Sequence, residues 1–118
     1  MRQAPSIDAY GGGGFRIDGV RREGSLLIID DKPQDWSATA VDALTPADFQ
    51  AVFDAPPGSV EFVLLGAGAV QALPPRPVRE AIAAAGMGFE FMATEAAART
   101  YNLLASEGRR LACALIAV

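Results

Sequence analysis

The run Met92-Ala-Thr-Glu-Ala-Ala-Ala-Arg-Thr-Tyr-Asn-Leu-Leu-Ala-Ser-Glu-Gly-Arg-Arg110 leaves a chain little conformational choice. It reads as one helix marked at both ends, followed at once by the apolar strand Leu111 to Val118. Thr94 is placed to cap the first turn through its side chain, and Glu95 sits where the helix dipole favours an acid. Gly108 can take the left-handed conformation that ends a helix, with Arg109 and Arg110 beside the last carbonyls. At about 100° per residue, Glu95, Arg99, Asn102 and Ser106 fall in one narrow arc. Ala96, Ala97, Thr100, Tyr101, Leu103, Leu104 and Ala105 cover most of the rest. The pattern predicts a helix buried over a wide face with one thin polar stripe, and it places Tyr101 and Leu104 against a sheet.

The preceding residues build that sheet. Val60 to Leu65 reads as a strand, Pro77 to Ala85 as a helix closed by Gly86 and Gly88, and Phe89 to Met92 as a short strand. Strand, helix, strand, helix, strand at this spacing is a βαβαβ unit with a largely parallel sheet. The N-terminal part differs. Ile7 to Tyr10 and Phe15 to Ile17 alternate apolar and polar residues around Gly11 to Gly14, and Asp18-Gly19 is a tight-hairpin dipeptide returning through Val20-Arg-Arg22. Glu23-Gly24 leads into the apolar run Ser25 to Ile29, which reads as buried on both faces. An antiparallel β-hairpin unit therefore extends or covers the sheet. Asp30-Asp-Lys-Pro33 is expected to break the strand, and Trp36 to anchor the next segment on the core. Thr45-Pro-Ala-Asp48 marks the start of a helix running to about Ala55. The expected organisation is a flexible stretch over 1–6 and one globular α/β domain over 7–118.

Composition narrows the chemistry. With 118 residues, 51% apolar and 20% charged, the chain can bury a core without metal or disulfide staples. No apolar run approaches the roughly 18 to 20 residues that span a bilayer. Met1 to Pro5 lacks the apolar segment of a secretory signal, so a cytoplasmic location is expected, or the mitochondrial matrix in a eukaryote. A net charge of −4 argues against nucleic acid as a partner. The chain contains no histidine, which removes Ser-His-Asp and Cys-His catalysis and histidine-ligated metals. The single cysteine, Cys113, lies in an apolar strand and reads as a buried thiol. No cofactor and no metal site is expected.

Two features remain as candidate binding elements. Gly66-Ala-Gly68 follows a strand, where α/β proteins hold phosphates, and Arg76 and Arg79 follow as charge partners. The fingerprint is incomplete, because Gln71 stands where a third glycine belongs and Leu73-Pro-Pro-Arg-Pro77 delays the next helix. The loop reads either as a structural turn or as a ligand loop. The tetraglycine lacks the Gly-Lys-Ser/Thr ending of a phosphate loop. The Glu95/Arg99/Asn102/Ser106 stripe reads either as a solvated edge holding a neighbouring loop or, with the glycine loop, as a partner or ligand surface. The candidate residues are thus Gly66, Gly68, Arg76, Arg99 and Asn102.

Several stretches together resemble the family of the mitochondrial respiratory complex I assembly factor three and its uncharacterised bacterial and archaeal relatives. They are Tyr10 to Ile17 with Gly24-Ser25, Val63-Leu-Leu-Gly-Ala-Gly68, Met92-Ala-Thr94, Ala97-Ala-Arg-Thr-Tyr-Asn-Leu-Leu104, Glu107-Gly-Arg109 and the closing strand. The chain departs from the family pattern at Ala93, where an acid or serine is common, and at Ala98, where cysteine is common. The resemblance implies a compact three-layer α/β domain with a mixed central sheet. It implies no established enzyme activity. It points to a non-catalytic protein acting through contacts with a partner protein, with peripheral association to a membrane complex as one setting. The reading left beside it is a small-molecule or anion binder.

Overall fold

Side-chain alternation along two central strands divides the molecule into layers. A computed structural model describes residues 3–118; Met1 and Arg2 of the expected flexible N-terminus lie outside them. Strands β1 (Ile7–Gly11), β2 (Gly14–Ile17) and β3 (Val20–Glu23) form an antiparallel three-stranded sheet. Strands β4 (Ser25–Ile29), β5 (Lys32–Trp36), β6 (Phe62–Gly66), β7 (Gly88–Met92) and β8 (Leu111–Leu115) form a second sheet in the order β5-β4-β8-β6-β7. Helices α1 (Gln50–Phe53), α2 (Arg76–Ala84) and α3 (Thr94–Ser106) complete the fold with short helical turns at Val41–Ala43 and Pro46–Phe49.

β8 and β6 are buried at every position, as continuous apolar runs require in the middle of a sheet. Successive side chains point to opposite faces. Leu26, Ile28, Phe62, Leu64, Leu111, Cys113 and Leu115 meet α3 and the three-stranded sheet through Ala97, Ala98, Tyr101, Phe15 and Ile17. Leu27, Ile29, Val63, Leu65, Ala112 and Ala114 meet Phe49, Val52, Val78 and Ile82 on the other side. Two apolar cores thus share one sheet, which is the three-layer arrangement.

The sheet is mixed. β6 pairs parallel with β7 and β8, whereas β4 pairs antiparallel with β5 and β8. The largely parallel sheet expected from the βαβαβ spacing holds only for its C-terminal half, because β4 and β5 join the other edge. Asp30-Asp31 does not end the β structure. Both residues adopt left-handed conformations, φ 52° and 65°, and turn β4 back into β5 with Ile29 opposite Lys32. Asp18-Gly19 does the same between β2 and β3, as its sequence predicts. The segment begun by Thr45 stays in a helical turn to Phe49 and ends as α1 at Phe53, shorter than expected. The Thr45 amide donates to Asp48 Oδ2 at 2.8 Å. Trp36 is buried on Phe49 with ring centroids 5.5 Å apart, and its indole N–H donates to the Asp48 carbonyl at 2.8 Å. Near the N-terminus Pro5 is buried, and Ser6 exchanges two hydrogen bonds with Asp18.

α3 carries the chain from edge strand β7 across β6 to β8. Ala97, Ala98 and Ala105 are small enough to let it lie close to the sheet, and Tyr101 is buried at 1% exposure. Leu104, half-buried, packs on the same core, and one expectation for this helix fails. Leu103 is 59% exposed; Ala98 takes the inward position instead. The buried arc is narrower than the apolar residues suggested, because Leu103 lies about 200° round the helix from Tyr101 and so faces away from the sheet.

Gly66 provides a direct test of the packing. A Cβ there would lie 2.8 Å from Leu115 Cδ2 and 2.9 Å from the Thr94 Cα. Gly66→Ala is expected to lose about 1 to 3 kcal/mol in chemical denaturation, the usual result of overpacking a filled core. An unchanged denaturation midpoint would show that the helix start and β6 are not in contact.

Candidate functional site

The residues at the C-terminal ends of β6 and β8 and the start of α3 form a single junction. The Ala67 amide donates to the Met92 carbonyl at 2.8 Å, and the Ile116 amide to the Gly66 carbonyl at 3.0 Å. The Thr94 amide donates to the Gly68 carbonyl at 2.9 Å. The Thr94 hydroxyl does not cap its helix, contrary to the sequence reading; Ala93 occupies the cap position. Instead Thr94 Oγ1 accepts from the Gly68 amide at 2.9 Å and donates to the Ile116 carbonyl at 2.7 Å. It is fully buried. The hydroxyl's one proton is committed to main chain, and its burial keeps the remaining lone pair away from any ligand. Gly68 holds φ 107°, a conformation that disfavours a Cβ, while Gly66 is needed for space.

Asn102 and Arg99 lie farther along α3 and differ in role. The Asn102 amide accepts from the Ile7 N–H at 2.9 Å and donates to the Ile7 carbonyl at 2.8 Å, reading that peptide like a neighbouring strand. It thereby pins β1 to the helix. Arg99 is exposed, and its Nη1 donates to Glu95 Oε1 at 2.9 Å. Tyr10, on β1, interacts with the same carboxylate. The Glu95 carboxyl is held below its usual range by the Tyr10 hydrogen bond first and Arg99 second. The Tyr10 phenol is raised, because ionising it would remove its hydrogen bond and set a phenolate beside Glu95. Tyr10 is not legible as part of this cluster, since it stands 85 residues before Glu95 and 89 before Arg99 in a sequence of 118.

Arg76 stands apart from both groups. It is exposed and donates from Nε to Glu80 Oε1 at 2.6 Å, while Arg79 donates to the Pro74 carbonyl at 3.1 Å. Among the described residues no hydrogen bond or ion pair joins Arg76 to the Gly66–Gly68 turn or to Arg99. No hydrogen bond or ion pair among the described residues joins any two of the five candidate residues. Cys113 is fully buried, and burial pushes its thiol pKa far up, so it offers no thiolate. A feature the sequence did not reveal lies between α3 and β7. There a cleft of about 540 Å³ is lined by Glu61, Phe62, Gly88, Glu90, Thr100, Leu104 and Arg109. The Arg109 guanidinium lies 5.1 Å from the Phe62 ring centroid and 3.8 Å from Glu61.

Three substitutions separate these roles. Asn102→Ala is expected to cost about 1 to 3 kcal/mol, because the Ile7 amide and carbonyl lose their partners. Arg99→Ala should stay within about 0.5 kcal/mol of the parent, as exposed positions do. Denaturation curves of the two decide it, and equal effects would contradict the assignment. In Glu95→Gln the Tyr10 phenol should titrate at lower pH than in the parent, read by phenolate absorbance; an unmoved curve would remove the Tyr10–Glu95 bond from the account.

The sequence is 40% identical over 110 residues to an uncharacterized protein of Rhodobacter capsulatus, covering 93% of this chain and 82% of that protein. It is 30% identical over 114 residues to the rat NADH dehydrogenase [ubiquinone] 1 alpha subcomplex assembly factor 3, covering 97% of this chain and 61% of that protein. The chain thus spans less than two thirds of the length of that relative. The crystal structure of an outer membrane protein from Bartonella henselae superposes with a TM-score of 0.89 at 32% identity, covering 99% of this chain and 98% of that one. Residues 7–116 match the model of a family described as protein of unknown function (DUF498/DUF598), and the chain belongs to that family.

Proposed function

We propose that the protein acts without catalysis, through contacts with a partner protein, in the manner of an assembly factor. The observation that carries this reading is the 97% of the chain that aligns with the rat NADH dehydrogenase [ubiquinone] 1 alpha subcomplex assembly factor 3. The chemistry of the candidate residues agrees with it. Thr94 and Asn102 spend their polar atoms on main chain, and Cys113 is sealed in the core. Arg99, Glu95 and Tyr10 remain at the surface as an ordered polar patch that a partner could read. Among the described residues no helix is long and apolar enough to cross a membrane. Association with a membrane complex would therefore run through a partner at its surface, with the protein on the cytoplasmic side.

The alternative, a small-molecule or anion site made by Gly66, Gly68, Arg76, Arg99 and Asn102, has weaker support. Gly66 has no free space beside it, Asn102 is occupied by Ile7, and Arg76 faces Glu80. Affinity purification of the tagged protein from its native host under mild conditions tests the two. A protein partner recovered at near-equal amount, and lost in Arg99→Glu or Tyr10→Ala, is the expected result. A bound small molecule seen by native mass spectrometry, with no partner, would favour the alternative.

A further inference from the structure

The two edges of the central sheet are built differently. β5 carries Lys32 and Pro33, and Asp35 is held by Arg22 Nη2 at 3.3 Å, so that edge is blunted by charge, a missing donor and a cross-sheet ion pair. β7, Gly-Phe-Glu-Phe-Met, has no proline and no lysine, and its one charge is Glu90. Its orientation follows from its pairing. The Gly88 amide donates to the Glu61 carbonyl at 3.1 Å and the Met92 carbonyl accepts from Ala67 at 2.8 Å, so Gly88, Glu90 and Met92 turn their main chain toward β6. Phe89 and Phe91 therefore direct their N–H and C=O groups outward, and among the described residues these have no partner. The two phenylalanine rings lean on the α2 side of the sheet, with centroids 5.7 Å apart, and are half-buried. Glu90 points to the α3 side, exposed at the mouth of the cleft, with no ion pair among the described residues.

We propose that the β7 edge receives an extended segment of a partner protein in which basic residues alternate with apolar ones. This rests on the protein-binding reading above and adds to the Glu95, Arg99 and Tyr10 patch a second contact surface at the sheet edge. Main-chain bonds to Phe89 and Phe91 supply register, as in strand addition to an open edge. Apolar residues of the added strand cover the Phe89 and Phe91 rings. Lysine or arginine residues on the opposite face meet Glu90, with their aliphatic stems along Leu104 at the mouth of the cleft, because Arg109 already covers the Phe62 ring. Charge complementarity selects this occupant over a second copy of the chain. The antiparallel register that uses both outward phenylalanines sets Glu90 directly against its own copy, and like charges so placed repel.

The test uses the full chain and two capped eight-residue peptides, one alternating valine with lysine and one alternating valine with glutamate. Binding is measured by calorimetry, and amide hydrogen exchange at Phe89 and Phe91 by NMR. The wild type should bind the lysine peptide roughly fivefold to tenfold more tightly than the glutamate peptide, and Glu90→Lys should reverse that order. Exchange at Phe89 and Phe91 should slow when the preferred peptide binds. Glu90 is exposed, so the substituted protein keeps its fold. Equal affinity of Glu90→Lys for the two peptides overturns the proposal, as does binding that leaves both amides exchanging at their free rate. A dimer that already protects those amides without peptide overturns it in favour of self-pairing. A native partner retained equally by wild type and Glu90→Lys also overturns it, while leaving the protein-binding reading intact.

Discussion

A single buried hydroxyl ties the molecule together. Thr94 Oγ1 accepts from Gly68 and donates to Ile116, so the turn after β6, the end of β8 and the first residue of α3 meet at one atom. Gly66 supplies the clearance that lets Thr94 approach, and Gly68 supplies the positive φ that points its amide at the hydroxyl. Buried polar groups are costly unless paired, and here each of three elements would lose a partner together. The junction also fixes the start of α3, whose course across β6 in turn decides what lies over each strand.

From that start the helix reaches its second tie at Asn102, which holds the main chain of Ile7 and so draws the three-stranded sheet onto the same face. α3 is thus a strut between two polar clamps with alanines between them, closely packed on one side and free on the other. The free side carries Glu95, Arg99 and Leu103; Tyr10 approaches from β1. The uncovered β7 edge follows from the same geometry, since the helix that leaves β7 moves away over β6. Partner contacts, on the reading proposed, use what this scaffold leaves open rather than the polar residues that build it.

Local signals read well from sequence. The limits of α3, its terminal Gly108, the Asp18-Gly19 hairpin and the apolar strands β4, β6 and β8 each follow from spacing or turn chemistry within a few residues. The anchoring of Trp36 was legible because one large aromatic in a polar stretch has few other uses. What failed was non-local. Thr94 has the composition of a cap, but its partners stand 26 and 22 residues away, and no local pattern announces them. Asp30-Asp31 looks like a break because acids rarely occupy two left-handed positions in succession. Leu103 looked buried because periodicity gives the apolar arc of a helix, while its neighbours decide which part is covered. The candidate site was split for the same reason: Gly66, Gly68 and Asn102 were visible as unusual residues, but only the fold shows them engaged with the chain's own backbone.

The measurement that tests this account most directly is the stability of Thr94→Val. Valine keeps the shape of threonine and removes the hydroxyl, leaving the Gly68 amide and the Ile116 carbonyl unpaired in the core. The account predicts a loss of about 1 to 3 kcal/mol in chemical denaturation, with faster amide exchange at Gly68. A variant as stable as its parent, with Gly68 equally protected, would contradict the claim that this hydroxyl holds the helix and the two strands together.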